Sequence, residues 1–191
     1  MRRLLYVLGT VALVAVVVIG LTQAGGSRDE DPPAAFDLEA AQQRLQGAPP
    51  ALAALHEQSN TILDGGLDAF DARLGELDGT PVVINKWASW CRPCRAEFPI
   101  FQQVATERGK EIAFLGVNAG DKRPSAEGFL DERPLPYPSY EDPDEDIARE
   151  LGAAKLFPAT TFVDARGGRH THFGEYTSQE ELEADIREYL R

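Results

Sequence analysis

The feature that most constrains this chain is the sequence WASWCRPC at residues 87–94, which contains its only two cysteines, Cys91 and Cys94. An apolar run at residues 82–84 precedes it, and a pattern with helical spacing begins near residue 92. Cys91 is therefore expected at the N-terminus of a helix. Unpaired backbone N–H groups and the helix dipole favour an anion at that position, and a thiolate is the anion that fits.

The spacing of the two cysteines suits reversible redox chemistry. A Cys-x-x-Cys pair in the first helical turn can close into a disulfide with little backbone movement and open again to a dithiol. We predict that Cys91 is exposed and attacks a substrate disulfide, and that Cys94, shielded by the turn, resolves the mixed disulfide. Pro93 suits an early helical position because its missing N–H would be unpaired there. Arg92 adds a cation that favours the thiolate form of Cys91.

Two other kinds of site share this spacing. The pair can be a structural disulfide, or half of a zinc site, which needs four ligands. His170 and His172 could complete a zinc site because alternate residues of a strand share a face. A metallochaperone that binds metal through the two cysteines is therefore the alternative from a different functional class. The full pattern Trp-Cys-x-Pro-Cys between a strand and a helix is more specific than Cys-x-x-Cys alone and favours redox chemistry.

The length of 191 residues leaves room for one domain with a full core after an N-terminal segment. We assign residues 1–24 to a signal anchor or transmembrane segment. Residues 25–35, which mix Gly, Pro and charge, are assigned to a linker. The predicted domain covers residues 36–191, and residues 36–59 are expected to form a helical N-terminal extension of it.

The N-terminal segment has the character of a membrane anchor. Arg2 and Arg3 precede 18 uncharged residues at 4–21. As a helix these would be about 27 Å long, close to the roughly 30 Å of a bilayer core. The arginines, set against acidic residues at 29–31, predict a cytoplasmic N-terminus and a catalytic domain on the outer side of the cell membrane. A cleaved signal peptide ending near Ala24 is the competing interpretation. Both the anchor and the cleaved signal peptide would place the domain outside the cytoplasm, where a disulfide can persist.

The charge balance is acidic. The chain has 31 Asp and Glu residues against 19 Lys and Arg residues, a formal net charge of −12 at pH 7. Such a surface repels the phosphates of nucleic acid and anionic lipid headgroups. We therefore predict no nucleic-acid partner, and contact with the membrane through the N-terminal helix.

Alternating strand and helix patterns predict an α/β domain. The continuous apolar run that begins at residue 82 suits a buried strand of a parallel sheet covered on both faces. Asp142 and Pro143 are expected to cap and start a helix that ends at Gly152. The stretch 119–142 is expected to be irregular apart from one helix. The strands are expected near residues 60–64, 82–87, 111–118, 159–164 and 169–173, and the other helices near residues 36–47, 50–55, 66–74, 92–109, 125–131 and 178–190.

The order of these elements, together with WASWCRPCRAEFP at residues 87–99, resembles thioredoxin. It is particularly similar to the membrane-anchored thiol:disulfide oxidoreductases of the TlpA and ResA type. The resemblance covers roughly residues 60–191 and includes WCxPC, Glu97 and the sequence FPATTFVD at residues 157–164. It implies a thioredoxin fold, in which helices flank a central mixed β-sheet.

The resemblance also implies where a substrate binds. In the family, the proline that corresponds to Pro158 is cis and faces the cysteines, and the residue before it, here Phe157, helps to hold the substrate chain. A trans proline that begins an edge strand is the alternative. Trp90 is expected to shield the disulfide and to offer an apolar surface. The predicted substrate-binding residues are therefore Trp90, Arg92, Pro93, Phe157 and Pro158.

Glu97 is assigned to catalysis beside Cys91 and Cys94. By resemblance, and because it lies one helical turn after Cys94, it could take or return the proton of the resolving cysteine. A surface carboxylate paired with an arginine is the alternative. Asn85 stands where thioredoxins have a buried aspartate, and an amide cannot exchange a proton at neutral pH. Lys86 replaces the usual phenylalanine in a buried strand, where a lysine must snorkel, pair with a carboxylate or lose its charge.

The sequence therefore predicts an exported, membrane-tethered thiol–disulfide oxidoreductase. By resemblance, it reduces protein disulfides, for example those of apocytochrome c in cytochrome c maturation, and a membrane thiol electron donor of the CcdA or DsbD type re-reduces it. No cofactor or metal is expected. A thiol oxidase of the DsbA type is the alternative, because Arg92, Pro93 and the helix N-terminus stabilise the reduced thiolate. The Pro-x-x-x-Thr-x-x-Cys pattern of thiol peroxidases is absent from the sequence.

Overall fold

A six-stranded mixed β-sheet forms the framework that carries the two cysteines. The computed structural model describes residues 35–154 and 156–190. The predicted membrane segment at residues 1–24 lies outside the described residues, as does the predicted linker up to residue 34. Among the helices in the described ranges, none is both long and apolar enough to cross a bilayer.

The sheet combines a parallel and an antiparallel half. Along the chain, the strands are β1 (Ile62–Leu63), β2 (Val82–Trp87), β3 (Ala113–Ala119), β4 (Ser139–Asp142), β5 (Ala159–Val163) and β6 (Arg169–Phe173). Their order in the sheet is β1-β4-β3-β2-β5-β6. The first four in this order run parallel, and β5 pairs antiparallel with both β2 and β6. The predicted mixed sheet and the predicted β5–β6 hairpin are confirmed.

Helices cover both faces of this sheet. In the described residues they are α1 (Leu38–Leu45), α2 (Pro50–His56), α3 (Gly66–Glu76), α4 (Arg92–Arg108), α5 (Arg123–Glu132), α6 (Asp146–Glu150) and α7 (Gln179–Tyr189). All six residues of β2 are buried, and their side chains alternate between the faces. Val83 and Trp87 pack with residues of α4 and α7, whereas Val82 and Ile84 pack with residues of α3 and α6.

The segment between β3 and α6 is more regular than predicted. α5 starts at Arg123 rather than at residue 125, and β4 forms within the stretch that was expected to be irregular. β4 pairs with β3 on one side and with β1 on the other. Its strand conformation therefore depends on hydrogen bonds to segments distant in sequence, which a local pattern does not reveal.

Asp142 caps a helix, but not at the predicted position. It is the last residue of β4, and α6 starts at Asp146 instead of Pro143. Its carboxylate nevertheless accepts hydrogen bonds from the backbone N–H groups of Ile147 (3.1 Å) and Ala148 (2.9 Å). The helix is therefore capped from the end of the preceding strand, across a short turn.

Candidate active site

The two cysteines form a disulfide at the start of α4. Their Cα atoms are 5.3 Å apart. Cys91 immediately precedes the helix, and its Sγ accepts a hydrogen bond from the backbone N–H of Cys94 (3.2 Å). Pro93 lies in the first turn, where its missing N–H breaks no helical hydrogen bond. Pro93 is half-buried and Arg92 is exposed. The redox pair thus lies at a helix N-terminus, as predicted.

Cys91 is much less exposed than predicted. Only 3% of its surface is open to solvent in this disulfide form, and Cys94 is fully buried. Both belong to an apolar cluster that includes Trp87 and Phe98, and Phe157 packs against this cluster. The expectation of an exposed nucleophile is wrong for the oxidised form, because apolar residues of neighbouring elements pack around the disulfide.

The peptide bond between Phe157 and Pro158 is cis, as predicted. The Pro158 carbonyl oxygen accepts a hydrogen bond from the backbone N–H of Gly174, just after β6 (3.1 Å). The ring of Phe157 contacts that of Trp90, with centroids 4.9 Å apart. The structure therefore brings together two of the predicted substrate-binding residues, one adjacent in sequence to Cys91 and the other to Pro158.

Large apolar side chains are exposed in and next to the segments that carry this contact. In the described part of the chain they are Trp90, Leu156 and Phe173, with exposed fractions of 59%, 56% and 46%. We call these three residues the apolar rim. Leu156 precedes Phe157, and Phe173 pairs with Ala159 in the β5–β6 ladder. Of the three, only Trp90 was predicted from the sequence. Phe173 could have been found, because it ends a strand that is otherwise polar.

The connection after β3 holds the segment that leads to the cysteines. Asp121 accepts hydrogen bonds from the Ser89 backbone N–H (2.6 Å) and from the Ser89 hydroxyl (3.0 Å). The Trp90 indole N–H donates to the carbonyl oxygen of Gly120 (3.0 Å). These bonds orient Trp90 beside the disulfide. Local sequence patterns do not reveal these hydrogen bonds, because the partners lie 32 and 30 residues apart in the chain.

Glu97 is fully buried, so the alternative of a surface carboxylate is wrong. Its Oε1 accepts a hydrogen bond from the Asn85 amide (2.8 Å), and its Oε2 accepts one from the backbone N–H of Tyr176 (3.1 Å). Burial raises the pKa of Glu97 to about 8; the two hydrogen bonds oppose this rise, and the nearby charge of Glu175 adds to it. Because Glu97 lies one turn after Cys94 on α4, it can hold or release a proton near neutral pH close to that cysteine.

Asn85 and Lys86 are adjacent in β2 and serve opposite faces of the sheet. The Asn85 amide binds Glu97 on the α4 face. Lys86 is buried on the α6 face, where its ammonium group pairs with the carboxylate of Glu145 at 2.8 Å. Of the three outcomes expected for a lysine at this position, pairing with a carboxylate is the one observed.

The histidines that could have completed a zinc site make other contacts. The imidazole of His170 stacks on Tyr189, with centroids 3.6 Å apart. His172 stacks on Tyr176 at 4.5 Å, and its Nδ1 lies 3.1 Å from the carboxylate of Asp185. Within the part of the chain that the structure describes, no three potential metal-binding side chains come together. The structure therefore gives no support to the zinc alternative.

Comparison with curated proteins identifies relatives of the predicted type. The thiol-disulfide oxidoreductase ResA of Oceanobacillus iheyensis is 29% identical over 102 residues, which cover 53% of this chain and 53% of that protein. The thiol:disulfide interchange protein DsbE of Pseudomonas fluorescens biotype C is 36% identical over 93 residues, which cover 48% of this chain and 50% of that protein. This chain therefore spans about half the length of the curated relatives it matches.

Solved structures support the fold. The structure of dsbF of MTB, in its mixed oxidized and reduced forms, is 32% identical in sequence and superimposes with a TM-score of 0.55. The match covers 59% of this chain and 83% of that chain. These relatives agree with the resemblance inferred from the WCxPC and FPATTFVD motifs.

The AhpC/TSA family matches residues 61–168, more than half of the 191 residues. The matched region contains Cys91, Cys94, Glu97 and the cis Pro158. It also contains all of the parallel ladder from β2 to β4 and the strand that follows Pro158. With a thioredoxin-like sheet and its redox pair inside the matched region, this chain belongs to the AhpC/TSA family.

Proposed function

We propose that this chain is an exported, membrane-tethered thiol–disulfide oxidoreductase that reduces protein disulfides. The observation that carries the proposal is the Cys91–Cys94 disulfide at the N-terminus of α4, in an apolar cluster against which Phe157, the residue before the cis Pro158, packs. The relatives named as a thiol-disulfide oxidoreductase and a thiol:disulfide interchange protein support the same class of reaction.

The first step starts from the reduced dithiol. The Cys91 thiolate, which the helix N-terminus favours, attacks one sulfur of a substrate disulfide. A bond forms between Cys91 and that sulfur while the substrate disulfide breaks. The second substrate sulfur leaves as a thiolate and takes up a proton. The product of this step is a mixed disulfide between Cys91 and the substrate.

The second step releases the substrate. The Cys94 thiol loses its proton, for which Glu97 is the acceptor, and its sulfur attacks Sγ of Cys91. The Cys91–Cys94 disulfide forms, the mixed disulfide breaks, and Glu97 returns the proton to the departing substrate thiolate. Two electrons have then passed from the protein to the substrate, whose two thiols have taken one proton from solvent and one, through Glu97, from Cys94. The protein is left in the oxidised form, which is the form seen in the structure.

An extended substrate segment fits the surface beside the disulfide. Trp90 and Phe157 offer apolar contacts to substrate side chains that flank the reacting cysteine. Arg92, which is exposed, and Pro93 lie at the start of the helix next to the attacking sulfur. The cis peptide bond at Pro158 directly follows Phe157. By resemblance, oxidised apocytochrome c in cytochrome c maturation is the proposed substrate.

The cycle needs a reductant. Re-reduction of the disulfide takes two electrons and two protons, and we assign their supply to a membrane thiol electron donor of the CcdA or DsbD type. Its thiolate would attack the disulfide in the reverse of the steps above. The anchor proposed at residues 1–24 would hold the domain near such a donor.

Single serine variants test the roles of the two cysteines. We expect Cys94→Ser to accumulate mixed disulfides with substrates in cells, because nothing resolves them, and Cys91→Ser to form none. Non-reducing electrophoresis followed by mass spectrometry detects these adducts, and the double variant provides the background. Equal trapping by the two single variants, or none by either, would contradict the assignment.

The reduction potential tests the direction of electron transfer. A value near that of thioredoxin, about −270 mV, corresponds to a reductase, and a value near that of DsbA, about −120 mV, to an oxidase. We expect a value closer to the former. Equilibration in thiol–disulfide buffers followed by alkylation of free thiols measures it, and a value near the latter would reverse the proposed direction.

A further inference from the structure

We propose that Lys86 is a positioning residue for substrate binding. Its ammonium group holds the connection between α6 and β5 in the conformation that places Phe157 and the cis Pro158 beside the cluster that contains Cys91. The inference rests on the proposed function, because the role it assigns is in binding the protein substrate. Lys86 acts through Phe157 and does not itself touch the substrate.

The polar contacts of Lys86 concentrate on one short connection. Its Nζ lies 2.8 Å from the carboxylate of Glu145, the residue before α6. It also donates to three backbone carbonyl oxygens that follow α6, those of Ala153 (3.0 Å), Ala154 (3.3 Å) and Leu156 (3.5 Å). The Lys86 side chain is only 2% exposed. A buried cation therefore ties several carbonyl groups of this connection to a single carboxylate.

The same ammonium group lies over the ring of Phe157, 3.7 Å from the ring centroid. The attraction between a cation and an aromatic ring is strongest when the cation is desolvated, as Lys86 is. Phe157 packs against the apolar clusters on both faces of the sheet, and its ring contacts Trp90 of the apolar rim. Lys86 therefore reaches the substrate-binding surface through a single aromatic side chain.

Packing alone does not explain a lysine here. Its neighbour Ile84 on the same face of β2 and its register partner Ala159 in β5 are both in the apolar cluster of that face. An ammonium group in such surroundings carries a large desolvation cost unless charge and hydrogen bonds offset it. Glu145, which supplies the charge, has a φ of 58°, a left-handed conformation that a glutamate seldom adopts. Both unfavourable features meet at the Lys86 ammonium group, which also binds carbonyl oxygens of the connection that leads into Pro158.

Replacing the cation with an apolar side chain of similar length tests the inference. In the full chain, we expect Lys86→Met to raise KM for the reduction of insulin about tenfold, equivalent to about 1.4 kcal/mol. We expect kcat to change by less than about twofold, because only substrate binding is affected. Reduction of hydroxyethyl disulfide, which has no polypeptide to contact Phe157, should be unchanged, as should the reduction potential.

Two further variants make the result decisive. Lys110→Met removes an exposed lysine and should leave KM unchanged. Glu145→Gln keeps Lys86 and its carbonyl contacts, and it should raise KM for insulin by a smaller factor than Lys86→Met does. If circular dichroism shows that Lys86→Met does not fold, the KM of Glu145→Gln tests the inference instead. An unchanged KM in the folded variants, with active wild-type protein, would overturn this inference alone. Failure of the wild-type protein to reduce hydroxyethyl disulfide would overturn the proposed function, and this inference with it.

Discussion

A carboxyl group without access to water links the stability of this protein to pH. Glu97 is fully buried, and burial raises its pKa to about 8 from an ordinary value of 4.5. Between these two values, the folded chain binds more protons at this site than the unfolded chain does. The contribution of Glu97 to the free energy of unfolding is therefore largest below pH 4.5 and falls as the pH rises towards 8.

The substitution Glu97→Gln should remove this pH dependence, because the amide has no proton to release in this range. Relative to the variant, the wild-type protein should lose about 3 kcal/mol of unfolding free energy between about pH 5 and about pH 8. Urea denaturation followed by circular dichroism measures this difference. Glu107→Gln, which changes an exposed carboxylate on the same helix, should retain the wild-type slope. If the free energy of unfolding changed with pH in the same way for the wild type and Glu97→Gln, Glu97 would not be the source of the pH dependence.

Individual residues of the site differ in how far the sequence predicts them. The place of Cys91 just before α4, and of Glu97 within it, follows from a local pattern. Their burial does not, because the groups around them come from distant segments; the Tyr176 N–H that binds Glu97 is 79 residues further along the chain. Lys86 is similar, since its partners lie 59 to 70 residues away. The sequence left three outcomes open for Lys86, of which pairing was one, and could not identify Glu145 as the partner.

Among the elements, α6 depends most clearly on a group outside itself. This five-residue helix receives a cap from Asp142, whose carboxylate accepts two backbone N–H groups. Asp142→Ala leaves both N–H groups without this acceptor, and we expect the free energy of unfolding to fall by about 1–3 kcal/mol. Chemical denaturation at neutral pH measures the loss.

Asp144→Ala is the matched control, because it removes an exposed aspartate from the same turn and changes the net charge equally. It should cost less than about 0.5 kcal/mol. If both alanine variants were destabilised to the same extent, the assignment of Asp142 as the cap would be wrong.

Strands β2 and β4 show which elements the sequence reveals. β2 was predicted with its observed bounds because a continuous run of apolar, β-branched residues is typical of a strand buried on both faces. β4 has the sequence SYED, which has no such run, and it is a strand because β3 and β1 supply hydrogen bonds on either side. β4 is therefore recognisable as a strand only from its pairing in the assembled sheet.

At the scale of the whole molecule, the formal net charge of −12 should favour cationic substrates. A field of this sign speeds the approach of positively charged chains, and salt screens it. For disulfide peptides of equal length, kcat/KM should be higher with a cationic sequence than with an anionic one. The difference should shrink as the Debye length falls from about 10 Å at 0.1 M salt to about 3 Å at 1 M. A preference that does not respond to salt would exclude this long-range effect.

The burial of Cys91 in the oxidised form also bears on how long that form persists. A thiol arriving from bulk solution finds little of the sulfur within reach, so we expect small reductants to reduce this disulfide slowly. A partner that carries its attacking sulfur on a narrow projecting segment can approach where a broad surface cannot. For the donor proposed above, we therefore expect one that carries its attacking sulfur on a narrow projecting segment to reduce the disulfide faster than small thiols such as glutathione do.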